Sequence, residues 1–210
     1  MIISIEGNIG SGKSTIIEYL KTLNSDKIIF VDEPVSEWLN IKDKHGMNAL
    51  DCFYKDKEEN AFCFQVLAYI TRLKKLMDTL KNSKDAIIIT ERSIETDRNV
   101  FAKMLYDEGM FNSIQWETYN YWFDTFKDIS KVDMILYVNT SPIKCIERIH
   151  IRNRIEESTI TLDYLVNCHE YHDNWIKNTN THIITIDGHN TIDTIRSEVI
   201  KVIDNIGEIL

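Results

Sequence analysis

The segment Gly7-Asn8-Ile9-Gly10-Ser11-Gly12-Lys13-Ser14 constrains this chain more than any other. It fits G-x-x-x-x-G-K-[ST], follows an apolar run and opens a helical pattern. Glycines so placed let backbone N–H groups turn inward around phosphate oxygens, and the amino end of the following helix adds its positive dipole. Lys13 is expected to reach the β- and γ-phosphates of a bound nucleotide, Ser14 to hold Mg²⁺, and the loop with Thr15 to form the phosphate cradle. Around this unit, short apolar runs alternate with longer amphipathic stretches, the pattern of an α/β fold on a mostly parallel sheet. Strands are predicted at 2–5, 27–31, 86–90, 134–138 and 182–186, and helices at 13–23, 58–80, 94–106, 114–127, 142–150, 162–176 and 191–206. The expected architecture is one domain over 1–210 with a five-stranded parallel sheet flanked by helices, its ligands at the carboxyl ends of the strands.

Composition narrows the partners. A net charge of −9 speaks against a nucleic acid polymer, which needs clustered Lys and Arg, and favours a small-molecule substrate. No apolar run approaches the ~20 residues that cross a bilayer, so no membrane association is expected. With the first strand beginning at residue 2, no transit peptide is expected ahead of it, and the protein is expected to be cytoplasmic. Cys52, Cys63, Cys145 and Cys168 show neither CxxC nor Cys/His spacing, and buried free thiols are expected. Two prolines, seven glycines and the lack of repeats give no linker.

A phosphate cradle alone does not distinguish kinases from switches or motors. Guanine-nucleotide switches need a DxxG directly after a strand and an N-K-x-D near a later one, and neither stands at those places. After the second predicted strand, Asp32-Glu33-Pro34-Val35-Ser36-Glu37-Trp38 puts a carboxylate at a strand end with an aromatic nearby. Such a group suits a base that accepts the acceptor hydroxyl's proton, although from these residues alone a solvated strand end is the better reading. On the long helix, Ala61, Gln65, Ala68 and Arg72 recur at helical spacing and share a face, which fits a pocket wall or a solvated face. Arg148, Arg152 and Arg154 fit a charge-stabilising clamp on phosphate or a solvated basic patch.

Several spaced segments together resemble the deoxyribonucleoside kinases, in particular the deoxycytidine, deoxyguanosine and deoxyadenosine kinase branch. The resemblance begins with Ile5-Glu6-Gly7-Asn8-Ile9 and continues through Glu33-Pro34-Val35, Trp38, Phe53-Tyr54, Phe62-Cys63-Phe64-Gln65 and Arg72. It then takes in Glu91-Arg92-Ser93, Asp97-Arg98, Phe101 and a basic lid at about 148–160 ending in Glu156-Glu157. It implies a P-loop kinase fold with an Arg-rich lid, and a nucleotide-salvage enzyme that moves the γ-phosphoryl group of ATP to a deoxynucleoside 5′-hydroxyl. By that resemblance Glu33 is the general base, Arg92 orients it and steadies the phosphates, and Glu91 joins Ser14 on Mg²⁺. Tyr54 and Glu157 would grip the sugar 3′-hydroxyl and Gln65 the base edge, with Phe64 and Phe101 sandwiching the base, a role compatible with ordinary core packing. Val35 and Trp38 complete the acceptor wall, and Asp187 is expected where the adenine lies.

Thymidine-accepting members of the family generally lack the Arg and Asp present here as Arg72 and Asp97. A buried Asp facing an exocyclic amino group gains a charge-assisted hydrogen bond, whereas a keto group there leaves it unpaired at about 1–3 kcal/mol. Deoxycytidine and deoxyadenosine are expected as good substrates, deoxyguanosine as acceptable and thymidine as poor. Family members are usually homodimers, and Tyr119, Tyr121, Trp122, Phe123 and Phe126 fit either a core or an interface. The alternatives are a nucleoside monophosphate kinase, such as a thymidylate kinase, and a nucleotide-binding subunit without catalysis.

Overall fold

The computed structural model describes residues 1–83, 86–154 and 157–207; Glu156 of the expected lid lies outside the described residues. Five strands, β1 Ile2–Glu6, β2 Ile28–Val31, β3 Ile87–Glu91, β4 Met134–Asn139 and β5 His182–Asp187, form one all-parallel sheet in the order β2-β3-β1-β4-β5. Each lies within one residue of its expected bounds. Near-continuous Ile, Leu and Val runs are what strands covered on both faces require. On one face Ile3 and Ile5 pack with Ile16, Ile17 and Leu20 of α1 (Lys13–Lys21) and with Ile195, Val199 and Ile203 of α10 (Ile192–Gly207). On the other, Ile2, Ile88, Ile135 and Tyr137 meet α4 (Lys57–Asn82), α8 (Pro142–Arg152) and α9 (Leu162–Asn178) through Leu76, Ile149, Leu165, Cys168 and Trp175.

A third cluster, built on Phe53, Phe64, Tyr69, Leu105, Tyr119 and Phe123, binds α4 to the helices beyond the sheet. It includes α2 (Val35–Asn40) and α3 (Ala49–Lys55), which no sequence periodicity marks. Helices this short carry too few turns to show a period. The α3 signal that does exist is its cap, Asn48 Oδ1 accepting from the Asp51 N–H at 2.8 Å. The helix expected over 94–106 is divided into α5 (Ile94–Thr96), a π-helical stretch (Asp97–Ala102) and α6 (Lys103–Asp107), followed by α7 (Ser113–Phe126).

The expectation of buried thiols holds for Cys145 and Cys168 only. Cys63 is exposed on the outer face of α4 and Cys52 is half-buried. No helix among the described residues is long and apolar enough to cross a membrane. Because β1 pairs with β3 on one side and β4 on the other, successive crossovers diverge there, and a crevice opens at the strands' carboxyl ends.

Candidate active site

The loop leaving β1 enters α1 with Gly7, Gly10 and Gly12 all at positive φ. At Gly10 (φ 78°) an added Cβ would stand 2.6 Å from the Cys145 carbonyl oxygen and 3.0 Å from Ile149, so α8 leaves no room for a side chain. The N–H groups of Lys13, Ser14 and Thr15 donate to no carbonyl of the described residues, as expected for the first turn of a helix. They border a cavity lined by Ile9, Gly10, Ser11, Gly12, Lys13, Ser14 and Thr15, with Arg148, Arg152 and Arg154 as further walls. Lys13 Nζ donates to Gly7 O (3.0 Å) and Asn8 O (2.7 Å). Burial and the nearby Arg92 charge lower its pKa to about 8, against the pull of Glu91, Glu33 and Glu6.

Asn8 has a different place from the rest of the loop. Its Nδ2 donates to Leu165 O at 2.8 Å, propping the turn against α9, and neither it nor Gly7 lines the cavity. Arg148 donates to Ser11 O and to Gly188 O, both at 2.8 Å, tying the loop to the turn after β5. Asp187 lies outside the cavity wall with its carboxylate 2.8 Å from His189 Nδ1. The residues from that region that do reach the wall are Asn190, Ile192 and Ile195, which no sequence motif singled out.

A second cavity opens beside the first. Its walls contain all eleven residues expected on the acceptor side: Glu33, Val35, Trp38, Tyr54, Phe64, Gln65, Arg72, Arg92, Asp97, Phe101 and Glu157. Along α4, Ala61, Gln65, Ala68 and Arg72 are buried, which decides between wall and solvated face. The Gln65 amide makes no hydrogen bond to a described residue. Phe64 stacks on Phe53 with centroids 4.7 Å apart and meets Trp38 edge-on at 5.4 Å; Trp38 is fixed by its Nε1 donating to Thr71 Oγ1 at 2.9 Å. The Arg92 guanidinium lies 5.1 Å from the Phe101 ring centre. Both phenylalanines therefore serve as core and as wall. Tyr164 of α9 also lines this cavity, under the Lys57 ammonium at 4.0 Å from its ring centre. It sits in an ordinary amphipathic helix, so the sequence carried no sign of it.

The two cavities share Ile9, Ser14, Glu33, Glu91, Arg92, Arg154 and Glu157 as walls. At this junction Arg92 Nη1 donates to Glu33 Oε1 at 2.6 Å and Arg72 Nη2 to the same oxygen at 3.1 Å. Glu33 Oε2 has no hydrogen-bond partner among the described residues. Burial pushes the Glu33 carboxyl up, but Arg92, Arg72 and Lys13 outweigh it and hold the pKa down at about 2. Arg72 also gives Nε to Asp97 Oδ2 (2.8 Å) and Nη1 to Glu91 O (2.6 Å). Its own pKa is raised, since Asp97 and Glu33 overcome the effect of burial. Burial pushes Asp97 up against the pull of Arg72. Ser14 Oγ donates to Glu91 Oε1 at 2.7 Å, and Arg152 holds Glu157 through Nε (3.0 Å) and Nη2 (2.6 Å). An ionised carboxylate with one open oxygen thus stands where a phosphate cradle meets an aromatic slot. That is the arrangement a proton acceptor for a neutral alcohol requires.

Comparison with known proteins agrees with this geometry. Residues 3–210 match the family model described as deoxynucleoside kinase. A fowlpox virus protein named "Probable deoxycytidine kinase" is 40% identical over 183 residues, covering 86% of this chain and 73% of the relative. Human deoxycytidine kinase is 35% identical over 194 residues, 83% of this chain and 74% of the relative. The mitochondrial deoxyguanosine kinase of Xenopus laevis is 32% identical over 199 residues, 86% and 75% of the two chains. With the cradle, the carboxylate–arginine junction and the aromatic slot in one crevice, the chain belongs to the deoxynucleoside kinase family.

Proposed function

We propose that this enzyme transfers the γ-phosphoryl group of ATP to the 5′-hydroxyl of deoxycytidine or deoxyadenosine, accepts deoxyguanosine less well and thymidine poorly. The observation that carries this reading is the open Oε2 of Glu33 on the wall common to both cavities. A 5′-hydroxyl donating to that oxygen would keep a lone pair free to attack a phosphate held in the adjoining cradle. At a pKa of about 2 the carboxylate is a weak base, and it suffices because the loose transition state of phosphoryl transfer asks for orientation first and proton removal late. Arg92, bonded to Glu33, and Lys13 supply positive charge to the transferring group, and Arg152 and Arg154 close from the lid.

The Ser14 hydroxyl and Glu91 carboxylate offer oxygen ligands beside the cradle, which fits Mg²⁺, an ion held by one or two protein oxygens and the substrate phosphates. When bound there, Mg²⁺ would neutralise phosphate charge. Arg148, Asn190 and Ile192 provide walls for the donor base. On the acceptor side, Tyr54 and Glu157 take the sugar 3′-hydroxyl and Gln65 the base edge. Asp97 has Oδ2 on Arg72 and Oδ1 free of described partners, which suits an exocyclic amino group. Arg72 and Arg92 are committed to carboxylates, Lys21 is paired with Asp32 at 2.7 Å and Arg154 faces Glu157 at 3.8 Å, so among the described residues every cation on this wall already has a carboxylate partner. That argues against a monophosphate kinase.

The reading extends to a single kinase domain over the whole chain, working in the cytoplasm as a homodimer. Initial rates with ATP, Mg²⁺ and each of the four deoxynucleosides, with deoxycytidine monophosphate alongside, test it. The expected order places deoxycytidine and deoxyadenosine first; a higher kcat/KM for thymidine than for deoxycytidine, or turnover of the monophosphate alone, overturns it.

A further inference from the structure

Glu6, the last residue of β1, is fully buried directly before Gly7 and lines neither cavity. A carboxylate at the end of a core strand is costly unless hydrogen-bonded. Three hydroxyls meet it: Ser4 Oγ and Ser93 Oγ at Oε1, the latter at 2.7 Å, and Thr96 Oγ1 at Oε2. Ser93 Oγ accepts the Thr96 N–H at 3.4 Å, which leaves its proton directed to Glu6. Between Glu91 and Ser93, Arg92 adopts φ 61°, a left-handed backbone that is strained for a non-glycine residue and persists only where the surroundings enforce it. Its N–H is held by Ile5 O at 3.1 Å, one residue before Glu6. The carbonyl of the same peptide unit, Glu91 O, is held by Arg72. The Ser93 side is held by Glu6.

We propose that Glu6 is a positioning residue for phosphoryl transfer: through the Ser93 hydroxyl it fixes the strained Arg92 turn, and so sets the Arg92 guanidinium against Glu33. This rests on the reading of Glu33 and Arg92 given above. An amide at position 6 puts an N–H₂ group where one carboxylate oxygen now accepts, so in Glu6→Gln a hydroxyl facing that nitrogen must turn from donor to acceptor. Ser93→Ala breaks the bond from Glu6 to the residue after Arg92, together with the Ser93 cap on the Thr96 N–H, and leaves Glu6 in place. Ser4→Ala removes a bond to the same carboxylate oxygen from within β1, away from the turn.

The experiment measures kcat and KM with deoxycytidine and ATP, together with Tm, for Glu6→Gln, Ser93→Ala, Ser4→Ala, Glu33→Gln and the double variant Ser93→Ala/Glu33→Gln. Displacement of a reacting group by about 1 Å can cost on the order of 100-fold, so Ser93→Ala is expected to lower kcat at least about tenfold with the deoxycytidine KM within about threefold. Ser4→Ala should lower Tm comparably and keep kcat. In the Glu33→Gln background, Ser93→Ala should cost less than it does alone, because the Arg92–Glu33 alignment it serves is already lost while Arg92 keeps its place at the phosphate. Equal kcat losses from Ser4→Ala and Ser93→Ala, or full additivity of Ser93→Ala with Glu33→Gln, would show a merely structural network and overturn the proposal. Normal turnover by Glu33→Gln alone would instead bring down the reading of Glu33. Ser93→Ala keeps the test decisive should Glu6→Gln fail to fold.

Discussion

The two oxygens of Glu33 stand in unlike surroundings: two guanidiniums converge on Oε1, while Oε2 has no described partner. Glu33→Gln keeps the size and removes the proton acceptor, and kcat is expected to fall by about 10²-fold or more with nucleoside binding retained. Near-normal kcat would eliminate Glu33 as the base. Its pKa of about 2 has a consequence for pH dependence: the carboxylate is ionised throughout the neutral range, so an acid limb between pH 5 and 7 would have another source. Lys13, lowered to about 8, sets the opposite limb. Its charged form is the one that binds phosphate, and that form is lost as pH rises through about 8. The value of kcat/KM for ATP should therefore decline above that point, and a flat profile to pH 10 would contradict the buried, cation-flanked lysine. Arg72 joins Asp97 to Glu33, a link invisible in the sequence, where the two roles stand far apart. The pair Arg72→Met/Asp97→Ala should admit thymidine, as the amino-selective carboxylate and the guanidinium volume are both gone. It should do so with a lower kcat, because Glu33 loses one of its two arginines; unchanged base selectivity would count against Asp97 as the reader.

At the scale of elements, the phosphate loop and the acceptor wall were legible for different reasons. The loop is a contiguous motif whose glycines answer to backbone geometry, and the structure gives each of them a positive φ. Gly10→Ala would drive a methyl group to 2.6 Å from the Cys145 carbonyl, so the loop must shift away from α8. The expected result is an ATP KM raised at least about tenfold with the deoxycytidine KM little changed, and equal effects on both would point to general unfolding. The acceptor wall was legible through α4, where Ala61, Gln65, Ala68 and Arg72 fall on one face of a 26-residue helix. Periodicity could not show that Asp97 and Phe101 ride on a π-helical stretch. An i→i+5 turn leaves no mark in hydrophobic spacing, and such turns occur disproportionately at functional sites. Nor could it reveal α2 and α3, too short for a period, or the roles of Asn190 and Tyr164, which depend on tertiary placement alone. Glu6 was visible only as part of a motif; its three hydroxyl partners come from β1 and from the turn and helix after β3.

For the whole molecule, the aromatic residues of α7 divide into two sets that the sequence left together. Tyr119 and Phe123 are buried in the cluster with Phe53 and Tyr69, so they belong to the protomer's core. Tyr121 and Trp122, with Ile114 and Ile129, remain exposed; Tyr121 is 77% exposed and Ile114 74%. Ile114 and Tyr121, seven residues apart on α7, share one helix face, and an exposed apolar face of this kind fits the homodimer proposed above. A second copy packing there by two-fold symmetry would cover the same patch on both partners. Because α7 contributes to the cluster that also holds Phe64 and Ala102, its docking would brace the base-binding wall from behind. Sedimentation equilibrium is expected to give twice the chain mass for the parent protein, and the single-chain mass for Tyr121→Asp combined with Ile114→Asp. The variant should keep its far-UV spectrum, since neither side chain is in the core. A parent protein that stays at the single-chain mass at high micromolar concentration would rule out the dimer, and a dimer untouched by both substitutions would move the interface off α7.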